Sequence, residues 1–190
     1  MLKAVTKSTG IIVMCLLSLA SFAQSKFAAM DKSPMDVSYY PSNFALQKVQ
    51  KPSVEPLIAR VLYSRPQKNG RTVFGELVEF GQVWRFGANE ATEIEFFRDV
   101  KIAGKKVKKG RYSMYAIVNQ DKWTIILNTE LDTWGAFKYD EKKDVLRTDV
   151  PAQKNSESLE AFSMSFEKVN GSFNLLAGWD DVMVRLPINY

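Results

Sequence analysis

Apolar and polar residues alternate along most of the chain after residue 57, and this period of two predicts β-strands. In residues 92–100 the pattern sets Ile94 and Phe96 against Glu93 and Glu95, as in a half-buried strand. Further strands are predicted at 57–64, 111–119, 122–128, 145–150, 159–169, 172–179 and 181–188. Short polar or glycine-containing steps separate them, including 120–121, 170–171 and 180–181. We therefore predict an all-β fold: a single antiparallel, barrel-like β-sandwich domain over residues 57–190.

Residues 24–56 differ from this pattern. Their apolar periodicity is poor, and they hold four of the seven prolines in the chain. We expect an extended arm on the domain surface, in which Tyr39, Tyr40 and Phe44 offer side chains to bury.

The first 23 residues read as a secretory signal peptide. Lys3 and Lys7 precede an apolar stretch at 11–20, and small residues before Gln24 predict cleavage between Ala23 and Gln24. The stretch is shorter than the roughly 20 residues of a membrane-spanning helix, although a retained anchor is the alternative. We expect a periplasmic or secreted protein that does not span a membrane.

Composition excludes much familiar enzymology. The chain has no histidine, and its one cysteine, Cys15, lies in the predicted signal peptide. A processed chain would have no Ser-His-Asp or Cys-His mechanism, no disulfide and no zinc site with imidazole or thiolate ligands. We expect no cofactor and no metal. The formal charge of +5 falls by the two lysines removed with the signal, and so mild an excess predicts no nucleic-acid partner.

One local cluster of basic residues stands out between two predicted strands. Its members are Lys101, Lys105, Lys106, Lys108, Lys109 and Arg111. Gly104 and Gly110 lie among them, which predicts the tip of a β-hairpin. The lysines either protect an edge strand from pairing with other chains or face an anionic surface such as lipid A or an acidic glycan.

The densest run of unusual residues is 82–92, Gln-Val-Trp-Arg-Phe-Gly-Ala-Asn-Glu-Ala-Thr. Gly87 permits a sharp turn, and Arg85 offers a planar fork to a carboxylate. We predict that Arg85 and Glu90 form one charge-assisted unit shielded from water by Trp84 and Phe86. That unit is either scaffolding or part of a ligand site with Asn89.

These motifs resemble those of the DUF2911 family of exported bacterial proteins. The resemblance rests on Gly-Ala-Asn-Glu-Ala-Thr at 87–92, and also on 33–36, 59–61, 63–66, 70–71, 74–75, 83–85, 104–106, 110–112 and 134–137. It implies an envelope location and a compact β-rich domain, and it carries no established catalytic residues.

Three weaker groupings remain. Trp134, Phe137 and Tyr139 with Trp123 would make an aromatic platform for a sugar, or else lie in the core. The acidic run at 140–144 suggests an exposed turn or a calcium loop of unusual spacing. Ser64 beside Arg65 would be a nucleophile near a cation, but the sequence offers no general base for it.

These patterns suggest three functions. They leave open whether the protein is an enzyme, although the lack of histidine and of a cysteine after the predicted signal peptide argues against catalysis. The first is a non-enzymatic binding or assembly module of the bacterial cell envelope, which takes a small anionic or glycan ligand or another envelope protein. Its ligand-binding residues would be Arg65, Trp84, Arg85, Asn89, Glu90, Trp134 and Tyr139. The second is a glycan hydrolase that pairs Glu90 with Glu93, Asp140 or Asp144. The third is a purely structural domain.

Overall fold

In the computed structural model, which describes residues 27–190, the alternating segments form two antiparallel sheets. The first sheet contains β1 (Met35–Tyr40), β2 (Ala59–Ser64), β3 (Val83–Trp84), β4 (Thr92–Phe96), β7 (Gly110–Val118), β8 (Lys122–Asn128) and β9 (Asp144–Pro151). The second contains β5 (Val100–Ile102), β6 (Lys105–Val107), β10 (Gln153–Val169) and β11 (Ser172–Asn189). One helix, α1 (Phe44–Gln50), and a 3-10 turn, Glu141–Lys143, complete the elements.

The first sheet has the order β1-β2-β4-β7-β8-β9, and β3 also pairs with β7. Thr92 of β4 lies opposite Met114, whereas Trp84 of β3 lies opposite Ala116. Strands β3 and β4 therefore lie end to end along one side of β7. The chain between them leaves this edge of β7 and returns to it.

The second sheet has the order β10-β11-β5-β6. Strands β10 and β11 form one long hairpin around Asn170–Gly171, where Val169 lies opposite Ser172. The register shifts twice along β10, around Leu159. Near its end, β11 pairs with β5, with Ile188 opposite Ile102.

The main core cluster contains buried side chains from both sheets. Its aromatic centre is built on Trp84, whose ring centroid lies 5.2 Å from Phe162, 5.4 Å from Phe86 and 6.1 Å from Trp123. Phe162 and Trp123 are fully buried. Trp84 thus ties the chain segment that follows it to the buried aromatic core of the domain.

The segment after β2 bridges the two sheets through backbone hydrogen bonds. Phe162 N–H donates to the Pro66 carbonyl and Lys68 N–H to the Glu160 carbonyl, each at 2.9 Å. The Lys68 ammonium also pairs with Asp180 at 2.6 Å. These contacts cover part of the outer edge of β10.

The predicted all-β antiparallel sandwich is confirmed, with three differences of detail. The region predicted as an arm contains β1 and α1, and β1 pairs with β2 along its whole length. The strand predicted over 92–100 ends at Phe96, and β5 begins at Val100. The predicted turn at 180–181 is wrong: β11 continues through Asp180, which adopts a left-handed φ of 51° opposite the irregular part of β10.

None of the described helices is long and apolar enough to cross a membrane. The predicted signal peptide and its cleavage site lie outside the described residues.

Candidate functional site

The chain between β3 and β4 forms a tight loop, which we call the Arg85 loop (residues 85–91). Thr92 N–H donates to the Arg85 carbonyl at 3.1 Å, so the two ends of the loop are closed by a backbone hydrogen bond. Inside it, the Thr92 hydroxyl donates to the Phe86 carbonyl at 2.6 Å. The Trp84 indole N–H donates to the Gly87 carbonyl at 3.0 Å. Side chains at both ends therefore fix the loop backbone.

Two residues of the Arg85 loop have left-handed backbone conformations, Phe86 at φ 56° and Asn89 at φ 58°. Asparagine tolerates this region, but a bulky residue there is an outlier that costs about 1–3 kcal/mol. The buried Phe86 ring, packed against Trp84, holds that conformation in place. Gly87 follows where a Cβ would lie only 3.2 Å from the Ser64 carbonyl oxygen, so a side chain would be crowded there.

A second segment, which we call the aromatic loop (residues 133–137), pairs with the Arg85 loop. Ala91 N–H donates to the Thr133 carbonyl and Gly135 N–H to the Asn89 carbonyl, each at 2.9 Å. Between these bonds, Glu90 and Trp134 form an isolated antiparallel bridge. The two loops are therefore held together by their backbones.

A groove of about 380 Å³ lies where the start of the Arg85 loop meets the aromatic loop. Its lining residues are Leu77, Val78, Glu79, Gln82, Val83, Trp84, Arg85, Ala136 and Phe137. The Phe137 side chain is 81% exposed, and the neighbouring Trp134 is 60% exposed. Arg85 Nη1 lies 3.3 Å from the point that a Cβ on Gly135 would occupy. The groove thus combines one guanidinium and the exposed Glu79 side chain with exposed ring surface.

Arg85 differs from the other arginines of the described chain. Its Nε is buried and has no hydrogen-bond partner, and the side chain makes no ion pair within residues 27–190. Each of the others has a partner: Arg60, Arg65, Arg71, Arg98, Arg111, Arg147 and Arg185. Because a buried N–H is normally satisfied, the Arg85 guanidinium has unused capacity to bind an anion.

The predicted Arg85–Glu90 unit is wrong: no ion pair joins them. Glu90 is exposed, and its backbone pairs with Trp134 on the aromatic loop. The left-handed residues Phe86 and Asn89 separate the two charged residues, so five positions of separation do not bring the side chains face to face. Asn89 is half-buried and its backbone carbonyl joins the loops.

Arg65, a predicted member of the site, is used elsewhere. Its Nη1 pairs with Asp36 at 3.0 Å, its Nη2 donates to Ser163 Oγ at 2.9 Å and its Nε to the Phe162 carbonyl at 3.3 Å. These bonds connect the end of β2 to β1 and β10. Arg65 does not line the groove.

Tyr139, another predicted member, belongs to a polar network. Its hydroxyl donates to Asp144 Oδ2 at 2.6 Å, while the buried Asn128 amide donates to Asp144 Oδ1 at 2.8 Å. Burial, followed by the hydrogen bond to Asp144, raises the pKa of Tyr139. Trp123 lies in the core. The structure therefore separates the aromatic platform into the buried Trp123, the half-buried Tyr139 and the two exposed rings at 134 and 137.

The three carboxylates proposed to work with Glu90 in hydrolysis already have partners. Glu93 Oε2 pairs with Arg111 at 2.5 Å, and Glu93 Oε1 accepts from Asp132 N–H at 3.1 Å. Asp144 belongs to the Tyr139 network, and Asp140 Oδ1 accepts from Lys142 N–H at 3.0 Å. Each of the three residues suggested to work with Glu90 thus accepts hydrogen bonds within the domain.

A groove of about 360 Å³ on the first sheet offers a comparison. Its charged residues pair with one another, Arg60 with Glu95 and Arg111 with Glu93. A ligand there would compete with these internal pairs. The groove at Arg85 has no such pair, and we take it as the candidate site.

The sequence predicted Trp84 and Arg85 for the site and Phe137 for the aromatic platform, but it gave no indication of Ala136 or of the segment 77–82. The available signal was the Trp-Gly-Ala-Phe run at 134–137, whose glycine has φ 67° and turns the chain beside the groove.

The comparisons with known proteins give one match. A family model described as "Protein of unknown function (DUF2911)" matches residues 45–188. Neither the curated proteins nor the solved structures contain a match to this chain.

Proposed function

We propose that this chain, which belongs to the DUF2911 family of proteins of unknown function, is a non-enzymatic binding module of the bacterial cell envelope. In this proposal, the groove at Arg85 holds a small ligand with a carboxylate or phosphate and a flat ring. The observation that carries the proposal is the half-buried Arg85 guanidinium, which has an unsatisfied Nε and no acidic partner within residues 27–190.

The anionic end of the ligand follows from the chemistry of the guanidinium. Arginine presents donors in a rigid fork that matches two oxygens of one carboxylate or phosphate. A ligand in the groove would be held by Nη1 and Nη2, which have no hydrogen-bond partner within residues 27–190, because the buried Nε becomes accessible only if the side chain turns. Strand β3 and the closed Arg85 loop hold the backbone of this arginine, so its position is set before a ligand arrives.

The ring of the ligand follows from the aromatic loop. Exposed Phe137 lies beside the groove, and half-buried Trp84 forms part of its lining. Aromatic side chains bind flat apolar faces, whether of another aromatic ring or of a sugar. A small acidic glycan or an aromatic acid would place its acidic group at Arg85 and its ring against Phe137 and Trp84.

The envelope location is supported by the predicted signal peptide. The non-enzymatic role is supported by the hydrogen bonds that already occupy the carboxylates paired with Glu90 in the hydrolase alternative. With Glu93, Asp140 and Asp144 held by internal hydrogen bonds, Glu90 has no free acidic partner among those considered. Binding requires no such partner.

Binding is tested by titrating the purified protein with phenylacetate and with glucuronate. Phenylacetamide and glucose serve as uncharged controls. The arginine Nε–H resonances and tryptophan fluorescence report occupancy. We expect a dissociation constant of about 1 mM for at least one acid, which is typical of a fragment, and a shift of the Arg85 Nε–H signal. The uncharged compounds should bind at least tenfold more weakly.

Three variants locate the site. Arg85→Gln should abolish the response, whereas Arg98→Gln, which removes a guanidinium stacked on Tyr190, should not. Phe137→Ala should weaken binding of the aromatic acid. An unchanged response in Arg85→Gln, or no response to either acid, would contradict the proposal. Glycan cleavage that disappeared in Glu90→Gln would favour the hydrolase alternative instead.

A further inference from the structure

The hairpin of β5 and β6 concentrates positive charge on a small ordered surface. Between residues 99 and 109 the chain carries five lysines and a single acid, Asp99. The lysines are Lys101, Lys105, Lys106, Lys108 and Lys109, and all are exposed. We call these five side chains the lysine face.

The hairpin holds the lysine face in place through its apolar residues. Val100, Ile102 and Val107 are buried in the core cluster. On the exposed side, Lys101 lies directly opposite Lys106, whereas Lys105 lies opposite the buried Ile102 at the end of the hairpin. Like charges in opposite positions on adjacent strands destabilise a sheet. The lysines are therefore carried by a hairpin whose apolar side is packed in the core, although the repulsion between Lys101 and Lys106 destabilises that hairpin.

Within residues 27–190, Asp99 makes an ion pair with only one of the five lysines. Its Oδ2 pairs with Lys106 at 2.7 Å, and its Oδ1 accepts from the backbone N–H of Lys109 at 2.9 Å. Both oxygens are occupied, and these hydrogen bonds hold the pKa of Asp99 below its usual range. The other four lysines make no ion pair within residues 27–190.

Protection of a sheet edge explains only part of this pattern. Strand β6 is the last strand of the second sheet, so Lys105 and Lys106 guard an edge. Strand β5 lies between β6 and β11, however, so Lys101 has no free edge to guard. Lys108 and Lys109 follow the strand. The face carries more charge than edge protection requires.

We infer that the lysine face docks the protein on an anionic phospholipid bilayer. Lysine ammonium groups act as compact point charges and suit a dense array of headgroup phosphates. Residues 99–109 contain no aromatic side chain, which the stacking sites of single-stranded nucleic acids require. The inference concerns a surface distinct from the groove and does not depend on the proposed ligand.

Docking would also orient the domain. Strand β4 begins at Thr92, at the end of the Arg85 loop, and ends at Phe96, three residues before the hairpin segment. Five extended residues span about 16 Å. The groove and the lysine face therefore lie toward opposite ends of this strand, which leaves the groove accessible on a bound protein.

The test is co-sedimentation of the purified protein with vesicles of phosphatidylcholine, with and without phosphatidylglycerol, at low and high salt. We expect binding that requires phosphatidylglycerol and is lost at high salt. Each lysine near an anionic surface contributes about fivefold in affinity, so Lys101→Gln/Lys105→Gln/Lys108→Gln should bind about a hundredfold more weakly.

A matched triple variant, Lys32→Gln/Lys51→Gln/Lys142→Gln, removes the same charge from exposed lysines elsewhere. It should bind within a few-fold of the wild type. Circular dichroism and unfolding midpoints confirm that both triple variants are folded. The inference is overturned if the wild type ignores phosphatidylglycerol, if the matched variant loses as much affinity, or if a heparin fragment or duplex DNA binds more tightly than the vesicles.

Discussion

Replacing Arg85 with methionine should raise the stability of the domain while abolishing the proposed binding of an anionic ligand. Most arginine substitutions at half-buried positions destabilise, because they remove hydrogen bonds or ion pairs. The Arg85 side chain makes neither within the described chain, and its buried Nε is unsatisfied. Methionine keeps an unbranched apolar stem of similar reach and has no donor to bury.

The magnitude follows from the buried donor. An unsatisfied buried polar group costs about 1–3 kcal/mol, and Arg85 is only half-buried, so we use the lower end. We therefore expect Arg85→Met to raise the free energy of unfolding by about 1 kcal/mol. For a domain of this size, that is a rise of about 2–4 °C in the melting temperature.

Arg65→Met is the matched control, because Arg65 has the partners that Arg85 lacks. Its side chain is 38% exposed and that of Asp36 is 40% exposed, so their ion pair contributes little after solvent screening. The bonds to Ser163 and to the Phe162 carbonyl add about 1 kcal/mol each. We expect Arg65→Met to lower the free energy of unfolding by about 2 kcal/mol.

Urea denaturation measures both changes, with the slope against urea checked for constancy. Opposite signs for the two methionine variants would support a binding role for Arg85. A loss of more than about 1 kcal/mol in Arg85→Met would refute the reasoning, because it would show that the guanidinium stabilises the folded chain.

Three further predictions follow from other contacts. Gly135→Ala and Gly171→Ala each force alanine into a left-handed φ, and each should lower the free energy of unfolding measured in urea by about 1 kcal/mol. Only Gly135→Ala should also weaken phenylacetate binding, because its Cβ would lie 2.7 Å from a ring carbon of Phe137, whereas a Cβ at Gly171 would meet open space. The hydrogen bonds from Lys68 and Ser158 lower the pKa of Asp180, so its contribution to the stability of the fold is present at neutral pH and disappears as pH falls through that lowered value. Below about pH 4, the wild type should therefore lose more stability than Asp180→Asn in acid denaturation, and parallel curves of stability against pH would contradict this. Phe162→Ala empties a fully buried position and should cost about 3–5 kcal/mol in urea, so a change below 1 kcal/mol would show that the core collapses around the gap.

Sequence patterns predicted the sandwich because strand periodicity is a local property. Residues 122–128 match β8 because alternation and flanking polar residues define both ends. Strand β1 was missed because it is short and lies between Pro34 and Pro41, which suggested an irregular arm. Its pairing with β2 joins distant parts of the chain, and no local pattern encodes that register.

The site was harder to predict, because loop conformation decides it. The sequence predicted the importance of Arg85, but the left-handed conformations of Phe86 and Asn89 set the direction of the chain. A bulky residue such as phenylalanine rarely adopts the left-handed region, so the sequence pattern could not predict this conformation at Phe86. The Asp180–Asp181 pair was misread for a related reason: the aspartate-rich step looks like a turn, yet Asp180 takes its left-handed conformation inside a continuous strand.

The long hairpin of β10 and β11 has a consequence for the order of folding. Its strands pair outward from a short turn at Asn170–Gly171, so each step closes a small loop and loses little chain entropy. Pairing of Ile188 with Ile102 joins distant segments and must wait for much of the chain to collapse. We therefore expect the hairpin to nucleate folding. Destabilising its turn should slow refolding, whereas destabilising β5 should mainly accelerate unfolding.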